Sequence, residues 1–267
     1  MYREVKAAVK GALLDPRLVL GITRDGLRLR KTVPSHRVQT LVGTHHKVLT
    51  VYMAQVFKAF AVVSGRSFCN ATSPNILYDK EVICDHHSTF EFNKLVSPFR
   101  GIHVCRDPRD LLVSCAHYHL KSSERWLHEV GRWGLHGSTY QGELRALNTM
   151  GERLLFELNH EGGKIVEDMF SWNYSRPEFV ELRYEEMVAK GATKYVCDSL
   201  QKSGLFLTEE CALLEKLFVI FSTQGVLAQR RHIRDARPLQ WKQHFTPEVE
   251  QEFRKRFGSA MVKLGYA

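Results

Sequence analysis

The sequence has no long apolar run, no N-terminal secretory signal, no internal repeat and no low-complexity tract. The first two absences argue against a transmembrane protein and predict a cytoplasmic one whose cysteines stay reduced. The six cysteines are scattered, and neither Cys-x-x-Cys nor His-Glu-x-x-His spacing occurs. Such spacings are typical of zinc sites, and their absence leads us to predict no metal site in spite of several paired histidines.

Acidic residues are in the minority, with 29 Asp and Glu against 38 Lys and Arg among 267 residues, for a formal net charge of +9. A basic surplus suits an anionic ligand, and it equally suits nucleic acid. The chain lacks a basic stripe interleaved with aromatic residues and lacks zinc-finger spacing, so nucleic acid is not a predicted partner. The hydrophobic share of 44% is enough for the core of one domain of ordinary size.

Strand-like and helix-like segments alternate three or four times over residues 35–120. This order predicts an α/β domain with a central parallel sheet flanked by crossover helices. Residues 122–178 break the alternation with aromatic-rich helical stretches, such as 144–158. They fit either an insertion that shapes a ligand pocket or plain core. A helix over 208–224 and a last helix over 247–262 complete the predicted domain.

Residues 1–34 are predicted to be an N-terminal extension of the domain that spans 35–267. The extension contains an amphipathic pattern from Tyr2 to Leu14, followed by a basic run from Arg24 to Lys31. A packed extension fits this composition, and so does a contact with a membrane surface or a partner. Both interpretations stay open at the level of sequence.

The most informative stretch follows the strand-like run Gly101–Cys105 and opens a helix. Asp107 is the predicted N-cap with a proline after it, and Asp110 completes a capping-box-like pattern. Arg106 is then at the carboxyl end of a buried strand, where open α/β sheets bind ligands. Ser114 lies about two turns into the helix on the same face as the cap. Both side chains can reach one anion, although a capped surface helix is the plainer interpretation.

The order of these residues resembles the 3′-phosphate-binding element of the sulfotransferases that use 3′-phosphoadenosine 5′-phosphosulfate (PAPS). The resemblance implies that Arg106 and Ser114 hold the 3′-phosphate of this donor. It also implies a single-domain, P-loop-like nucleotide-binding fold with a central parallel sheet. The expected reaction is transfer of the donor's sulfuryl group to an acceptor.

A C-terminal segment is similar to a second element of that family, and it keeps the spacing of seven residues from Arg234 to Trp241. In the family this loop clamps the 3′-phosphate, which implies that both residues belong to the donor site. Two family glycines are replaced here, by Ala236 and Leu239. Arg237 is expected to compensate with a bidentate phosphate contact. The same residues also fit an ordinary basic loop.

A third element is the strand-like segment Phe179–Met187, which contains Tyr-Glu-Glu like the corresponding family strand. The resemblance implies that Tyr184 lies near the donor's adenosine. A tyrosine packed at the edge of the core is the alternative for this residue. Taken with the two preceding elements, the similarity covers roughly residues 38–266.

The loop after the first strand is expected to bind the donor's 5′-phosphosulfate, where the family has Lys-x-Gly-Thr-Thr. Aligning on Lys47 puts Leu49 at the glycine and Thr50 at the first threonine. The alternative alignment, anchored on Gly43, puts His46 at the lysine. We prefer Lys47, because an ammonium neutralises the charge that grows on the leaving nucleotide better than a mostly neutral imidazole.

Paired histidines, His86 and His87, follow a short strand-like segment. In cytosolic members of the family a histidine after the corresponding strand is the general base, a role that suits an imidazole with a pKa near neutrality. We favour His87, which precedes the small Ser88, and keep His86 as the alternative. Histidines at strand ends are also often structural.

These elements predict a PAPS-dependent sulfotransferase whose acceptor offers a hydroxyl or, second, an amine, on a small molecule, lipid or glycan. The lost loop glycines support one rival, a non-catalytic protein that binds a nucleotide or a sulfated ligand. Another rival is a P-loop phosphotransferase with magnesium on Asp85, but Gly-x-x-x-x-Gly-Lys-Ser/Thr is absent. The oligomeric state is not predicted.

Overall fold

The computed structural model describes residues 16–32, 38–135, 137–189, 191–222 and 235–266. The strands are β1 Gln39–Gly43, β2 Phe68–Ala71, β3 Val82–Asp85, β4 Phe99–Cys105 and β5 Phe179–Arg183. The helices in the described ranges are α1 Pro16–Thr32, α2 Thr50–Ser64, α3 Pro108–His119, α4 Tyr140–Ala146, α5 Met150–Asn159, α6 Glu161–Ser171, α7 Tyr184–Val188, α8 Ala192–Ser203, α9 Thr208–Ile220, α10 Trp241–His244 and α11 Pro247–Leu264. Short 3-10 helices are Phe92–Lys94, Arg125–His128 and Arg132–Gly134.

The five strands form one parallel sheet in the order β2-β3-β1-β4-β5, which confirms the predicted α/β class. Every residue of β1 and β3 is buried, as expected for a parallel sheet covered on both faces. Gly43 of β1 pairs with Asp85 of β3 and His103 of β4, and His103 pairs with Glu181 of β5. Asp85, His103 and Glu181 therefore lie in one row across the sheet, with Gly43 between Asp85 and His103.

The chain divides into two compact units. The sheet unit consists of the described residues up to Cys105 together with Asn173–Ala236, and it contains all five strands named above. The helical unit consists of Arg106–Trp172 and the described residues from Arg237 onward. Helices α3 to α6, α10 and α11 belong to the helical unit.

Helix α1 packs within the sheet unit and contains the basic run that the sequence places in the N-terminal extension. Gly26 lies so close to α2 that an added Cβ would be 2.3 Å from Cγ1 of Val63. Arg30 donates from Nε to the carbonyl of Val63 at 3.0 Å and from Nη2 to that of Val62 at 2.7 Å, so it satisfies the C-terminal carbonyls of α2. The predicted helix from Tyr2 to Leu14 lies outside the described residues.

The strand–helix alternation is less regular than predicted. No helix lies in the described link between β2 and β3, residues 72–81, and the link from β3 to β4 holds only a 3-10 turn. The first link is rich in Pro, Asn and Asp, which favour turns. The helix predicted over 144–158 is two helices, because Thr149 N-caps α5 in a capping box with Glu152.

The helical unit has its own aromatic core around Tyr140, which is fully buried. Trp126 and Phe156 pack edge-on against the Tyr140 ring, with centroids 5.1 and 4.9 Å away, and Trp133 packs at 6.5 Å. These aromatic residues are core residues. A role of segment 122–178 in acceptor binding stays a prediction.

Among the helices of the described ranges, none is both long and apolar enough to cross a membrane.

Candidate active site

Asp85 builds the turn that carries the paired histidines. Its carboxylate is fully buried and accepts hydrogen bonds from the backbone N–H of His87 at 3.0 Å and from that of Thr89 at 2.5 Å. The Thr89 hydroxyl adds a third hydrogen bond at 3.0 Å. Both carboxylate oxygens thus hold the backbone in place, so the structure gives no support to magnesium on Asp85. Among the described residues, no group of three or more His, Cys, Asp or Glu side chains is arranged to hold a metal.

The two candidate bases differ in their surroundings. Nε2 of His86 lies 2.6 Å from Oδ1 of Asn70, and burial followed by the charge of His87 lowers the pKa of His86. His87 is half-buried, and within the described part of the chain its ring makes no hydrogen bond. Because β3 ends at Asp85, both histidines lie in the turn, and the turn sets the direction of their rings. His87 is therefore the less restrained imidazole of the pair.

The loop that the sequence assigns to the phosphosulfate packs against the same turn. The N–H of Thr44 donates to the carbonyl of Asp85 at 3.0 Å, and the hydroxyl of Ser88 donates to the carbonyl of Thr44 at 3.0 Å. A side chain on Gly43 would place its Cβ 2.7 Å from the Ser88 oxygen, so glycine is needed for close packing. The hydroxyl of Thr50 donates to the carbonyl of His45 at 2.8 Å. Loop and turn thus form one hydrogen-bonded assembly.

Two residues of this loop have left-handed backbone conformations without being glycine. Lys47 has φ 65° and Leu49 has φ 55°, and each costs about 1 kcal/mol relative to a right-handed residue. Leu49 occupies the position where the family pattern has glycine, so the backbone keeps a conformation that glycine adopts easily. Helix α2 begins at Thr50, and no side chain of the described residues caps it. Its first N–H groups and its dipole favour an anion.

A buried cluster that the sequence does not predict lies next to this loop. Nε2 of His45 lies 2.9 Å from Nε2 of His103, and Nδ1 of His103 lies 2.6 Å from Oε2 of Glu181. Both imidazoles are buried, whereas the Glu181 side chain is 27% exposed. Burial lowers the pKa of His45, with further lowering by the charges of His103 and His87. A histidine and a glutamate inside apolar strands were the available signal.

Acidification is expected to destabilise the fold through His103. Burial lowers the pKa of this imidazole from 6.5 to about 3, so below pH 6.5 the unfolded chain binds a proton that the folded chain does not. The contribution of this group is fully present above pH 6.5 and is lost as the pH falls. His103 alone should lower the free energy of unfolding by about 2 kcal/mol between pH 7.5 and pH 5, measured by urea denaturation as the difference between the wild type and a variant without this imidazole.

Two variants separate this contribution from the titration of other groups. His103→Gln should reduce the slope of stability against pH below pH 6.5. His128→Gln removes an exposed imidazole and should leave the slope as it is in the wild type. An unchanged slope in the His103→Gln variant would show that His103 is not held neutral in the fold.

In the helical unit, α3 begins as predicted, with one correction. Asp107 is the N-cap, and its carboxylate accepts from the N–H of Arg109 at 2.9 Å. Asp110 does not close a capping box. Its two oxygens accept from the N–H of Leu239 at 2.6 Å and from that of Trp241 at 2.9 Å. Burial raises the pKa of Asp110, and these N–H groups together with the Arg106 charge oppose the rise.

Asp110 thus fixes the C-terminal loop against α3. Ser114 lies four residues further along the helix, on the same face as Asp110. Leu239 has φ 63°, again the left-handed region at a position where the family pattern has glycine. The guanidinium carbon of Arg109 lies 3.9 Å from the centre of a Trp241 ring and adds a second link between helix and loop.

The remaining predicted residues are distributed as follows. Arg106 is 3% exposed, and Arg237 is exposed with its carbonyl 2.8 Å from Nε2 of Gln240. Tyr184, in the sheet unit, is buried and donates from its hydroxyl to the carbonyl of Ala236 at 3.2 Å. Arg234 lies outside the described residues. Lys47, His46, Thr50, His86, His87 and Tyr184 belong to the sheet unit, and Arg106, Ser114, Arg237 and Trp241 belong to the helical unit.

Comparison with protein families gives a match to the sulfotransferase domain over residues 84–265, which is more than half of the chain. The chain belongs to the sulfotransferase domain family. The matched range begins in β3 and ends after α11. It therefore includes the turn that contains His86 and His87, Arg106 with helix α3, and the C-terminal loop that contains Leu239. Family membership supports a sulfotransferase activity.

Among solved structures, this sulfotransferase-domain protein is similar to mouse sulfotransferase SULT7A1, whose structure is a complex with PAP. The TM-score is 0.52 at 17% sequence identity, and the match covers 89% of this chain and 88% of the mouse chain. At this identity the similarity establishes the fold alone. No curated protein matches the sequence.

Proposed function

We propose that the protein transfers the sulfuryl group of PAPS to an acceptor. The acceptor group is a hydroxyl, with an amine as the alternative. The proposal is supported mainly by the arrangement of side chains around α3. A buried arginine precedes the helix, and the Asp110 carboxylate fixes the C-terminal loop onto the face that presents Ser114. In this proposal Arg106 and Ser114 bind the 3′-phosphate, with bidentate geometry available to the guanidinium.

The 5′-phosphosulfate is assigned to the loop between β1 and α2. Lys47 and the N–H groups at the start of α2 offset the negative charge, and His46 provides a further hydrogen-bonding group. Thr50 contributes its backbone N–H, because its hydroxyl donates to the carbonyl of His45. Transfer is in line: the bond from sulfur to the acceptor oxygen forms as the bond from sulfur to the leaving phosphate oxygen breaks. Lys47 stabilises the charge on that leaving oxygen. His87, or alternatively His86, takes the proton of the acceptor hydroxyl.

Further residues complete the proposed donor site. Tyr184 is assigned to the adenosine, Arg234 and Arg237 offer additional charge for the 3′-phosphate, and Trp241 is assigned to the donor site with the loop that contains it. Acceptors are assigned to the classes of small molecules, lipids and glycans, and no metal takes part. A cytoplasmic location is proposed because all six cysteines are buried thiols.

A binding protein without catalytic activity is the second candidate, since family glycines are replaced in both donor loops, at Leu49, Ala236 and Leu239. The left-handed conformations of Leu49 and Leu239 speak against it, because both loops keep backbone geometry that glycine adopts easily. The enzyme is therefore the better-supported of the two functions.

Nucleotide affinity tests the proposal. The product nucleotide 3′-phosphoadenosine 5′-phosphate (PAP) should bind at least tenfold more tightly than AMP, about 1.4 kcal/mol, because only PAP offers a phosphate to Arg106 and Ser114. Isothermal titration calorimetry of both nucleotides measures the difference. Equal affinities would remove the donor assignment.

A further inference from the structure

The buried cluster of Glu181, His103 and His45 has a defined arrangement of protons. A carboxylate only accepts hydrogen bonds, so Nδ1 of His103 carries the hydrogen that Glu181 receives. Burial lowers the pKa of His103, so the ring is neutral at pH 7 and its Nε2 bears a lone pair. Nε2 of His45 must then donate to Nε2 of His103. His45 is neutral as well, so its Nδ1 is an acceptor.

This Nδ1 atom is the last one in the chain of hydrogen bonds that runs from Glu181 through His103 to His45. Nδ1 of His45 is buried, and it has no hydrogen-bond partner among the described residues. An unsatisfied buried acceptor costs about 1–3 kcal/mol, and such exceptions call for an explanation. Phosphate and sulfate oxygens cannot satisfy it, because they too are acceptors. The missing partner is a group with a hydrogen to donate.

His87 is such a group. It lies in the turn that packs on the loop containing His45, and its charge contributes to lowering the pKa of His45. Tyr174 is a second group near the cluster with a hydrogen to donate. Its ring lies 5.5 Å from the His103 ring, and burial raises the pKa of its hydroxyl, so the hydroxyl stays neutral. Catalytic hydrogen bonds are often long or poorly aligned before substrates bind and shorten in the complex.

We propose that Glu181, His103 and His45 are positioning residues that fix the tautomer of His87 for general-base catalysis. The inference rests on the proposed sulfuryl transfer. One ring nitrogen of His87 donates to Nδ1 of His45, so the other nitrogen bears the lone pair that takes the acceptor's proton. The imidazolium that forms keeps this hydrogen bond, and the Glu181 carboxylate at the far end of the chain stabilises its charge. No proton moves beyond His87.

Glu181→Gln tests the role of the carboxylate in turnover. A glutamine amide can also donate, which would reverse the direction of every hydrogen bond in the chain and turn Nδ1 of His45 into a donor. The variant should therefore lower kcat at least tenfold and leave the Kd for PAP unchanged. Glu181→Asp keeps a carboxylate and should recover part of the activity. Glu215→Gln removes an exposed charge from the same unit and should match the wild type.

Histidine tautomers provide a measurement that does not depend on activity. NMR of the full chain with ¹⁵N-labelled histidine should find His103 protonated on Nδ1 and His45 on Nε2, with a scalar coupling between the two Nε2 atoms across the hydrogen bond. Glu181→Gln should change both tautomers. His103 protonated on Nε2 in the wild type would overturn the inference, as would wild-type kcat in Glu181→Gln. Failure of PAP to bind would instead remove the proposed function, which makes the two failures distinguishable.

Discussion

Replacing His87 with alanine is expected to lower the turnover of sulfuryl transfer by about 10²–10⁴-fold, the usual contribution of a general base. Without the imidazole, the acceptor hydroxyl keeps its proton as the bond to sulfur forms. The Kd for PAP should hardly change, because the variant leaves Lys47 and the Arg106 element in place. Steady-state kinetics on a reactive acceptor, together with calorimetry of PAP binding, measure the two quantities separately.

His86→Ala is the matched control for this prediction. Nε2 of His86 lies 2.6 Å from Oδ1 of Asn70, so its loss should mainly disturb the neighbouring strand and cost far less turnover. The opposite ranking of the two variants would assign the base to His86. Unchanged turnover in both would mean that the base is neither of them.

The α3 element could be predicted in detail because its signals are local. The N-cap at Asp107 and the proline after it specify where the helix begins, and the apolar run before Arg106 specifies the strand. Such signals lie within a few residues of the position that they determine. The family match over the C-terminal two thirds of the chain agrees with this interpretation.

The cluster of His45, His103 and Glu181 could not be predicted, because His103 and Glu181 meet only through the register of the sheet. His103 and Glu181 are separated by 78 residues in sequence and become neighbours because β4 pairs with β5. No local pattern specifies that register. For the same reason the local pattern predicts that Asp110 caps its own helix, although its partners are backbone groups 129 and 131 residues away.

The replaced glycines argue against donor binding at the level of sequence, and the backbone geometry weakens this argument. Sequence reasoning treats a missing glycine as a missing conformation, since other residues pay a steric penalty at positive φ. Leu49 and Leu239 nevertheless occupy that region, with φ 55° and 63°, whereas Ala236 is not among the described residues with positive φ. A penalty of about 1 kcal/mol per residue is small enough for the surrounding hydrogen bonds to offset, as those from Leu239 and Trp241 to Asp110 do in the C-terminal loop.

Arg106→Ala is expected to weaken PAP binding by about 1.5–3 kcal/mol, the range for a hydrogen bond to a charged group, or about 10–150-fold in Kd. The binding of AMP, which lacks the 3′-phosphate, should change much less. Calorimetry with both nucleotides therefore reports the loss of one phosphate contact rather than a general loss of affinity.

Controls for this prediction address folding, charge and the second phosphate contact. Arg106 is 3% exposed, so the alanine variant leaves a cavity, and its Tm should be measured beside its Kd. Arg106→Lys fills most of that space and keeps the charge but lacks the planar fork, so its affinity for PAP should lie between those of alanine and arginine. Arg125→Ala removes an equal charge from a side chain that is 95% exposed and should bind PAP like the wild type.

Ser114→Ala should give a smaller, PAP-specific loss of the same kind, because a neutral hydroxyl contributes less to a phosphate than a guanidinium does. Parallel losses for PAP and AMP in Arg106→Ala would place the 3′-phosphate elsewhere.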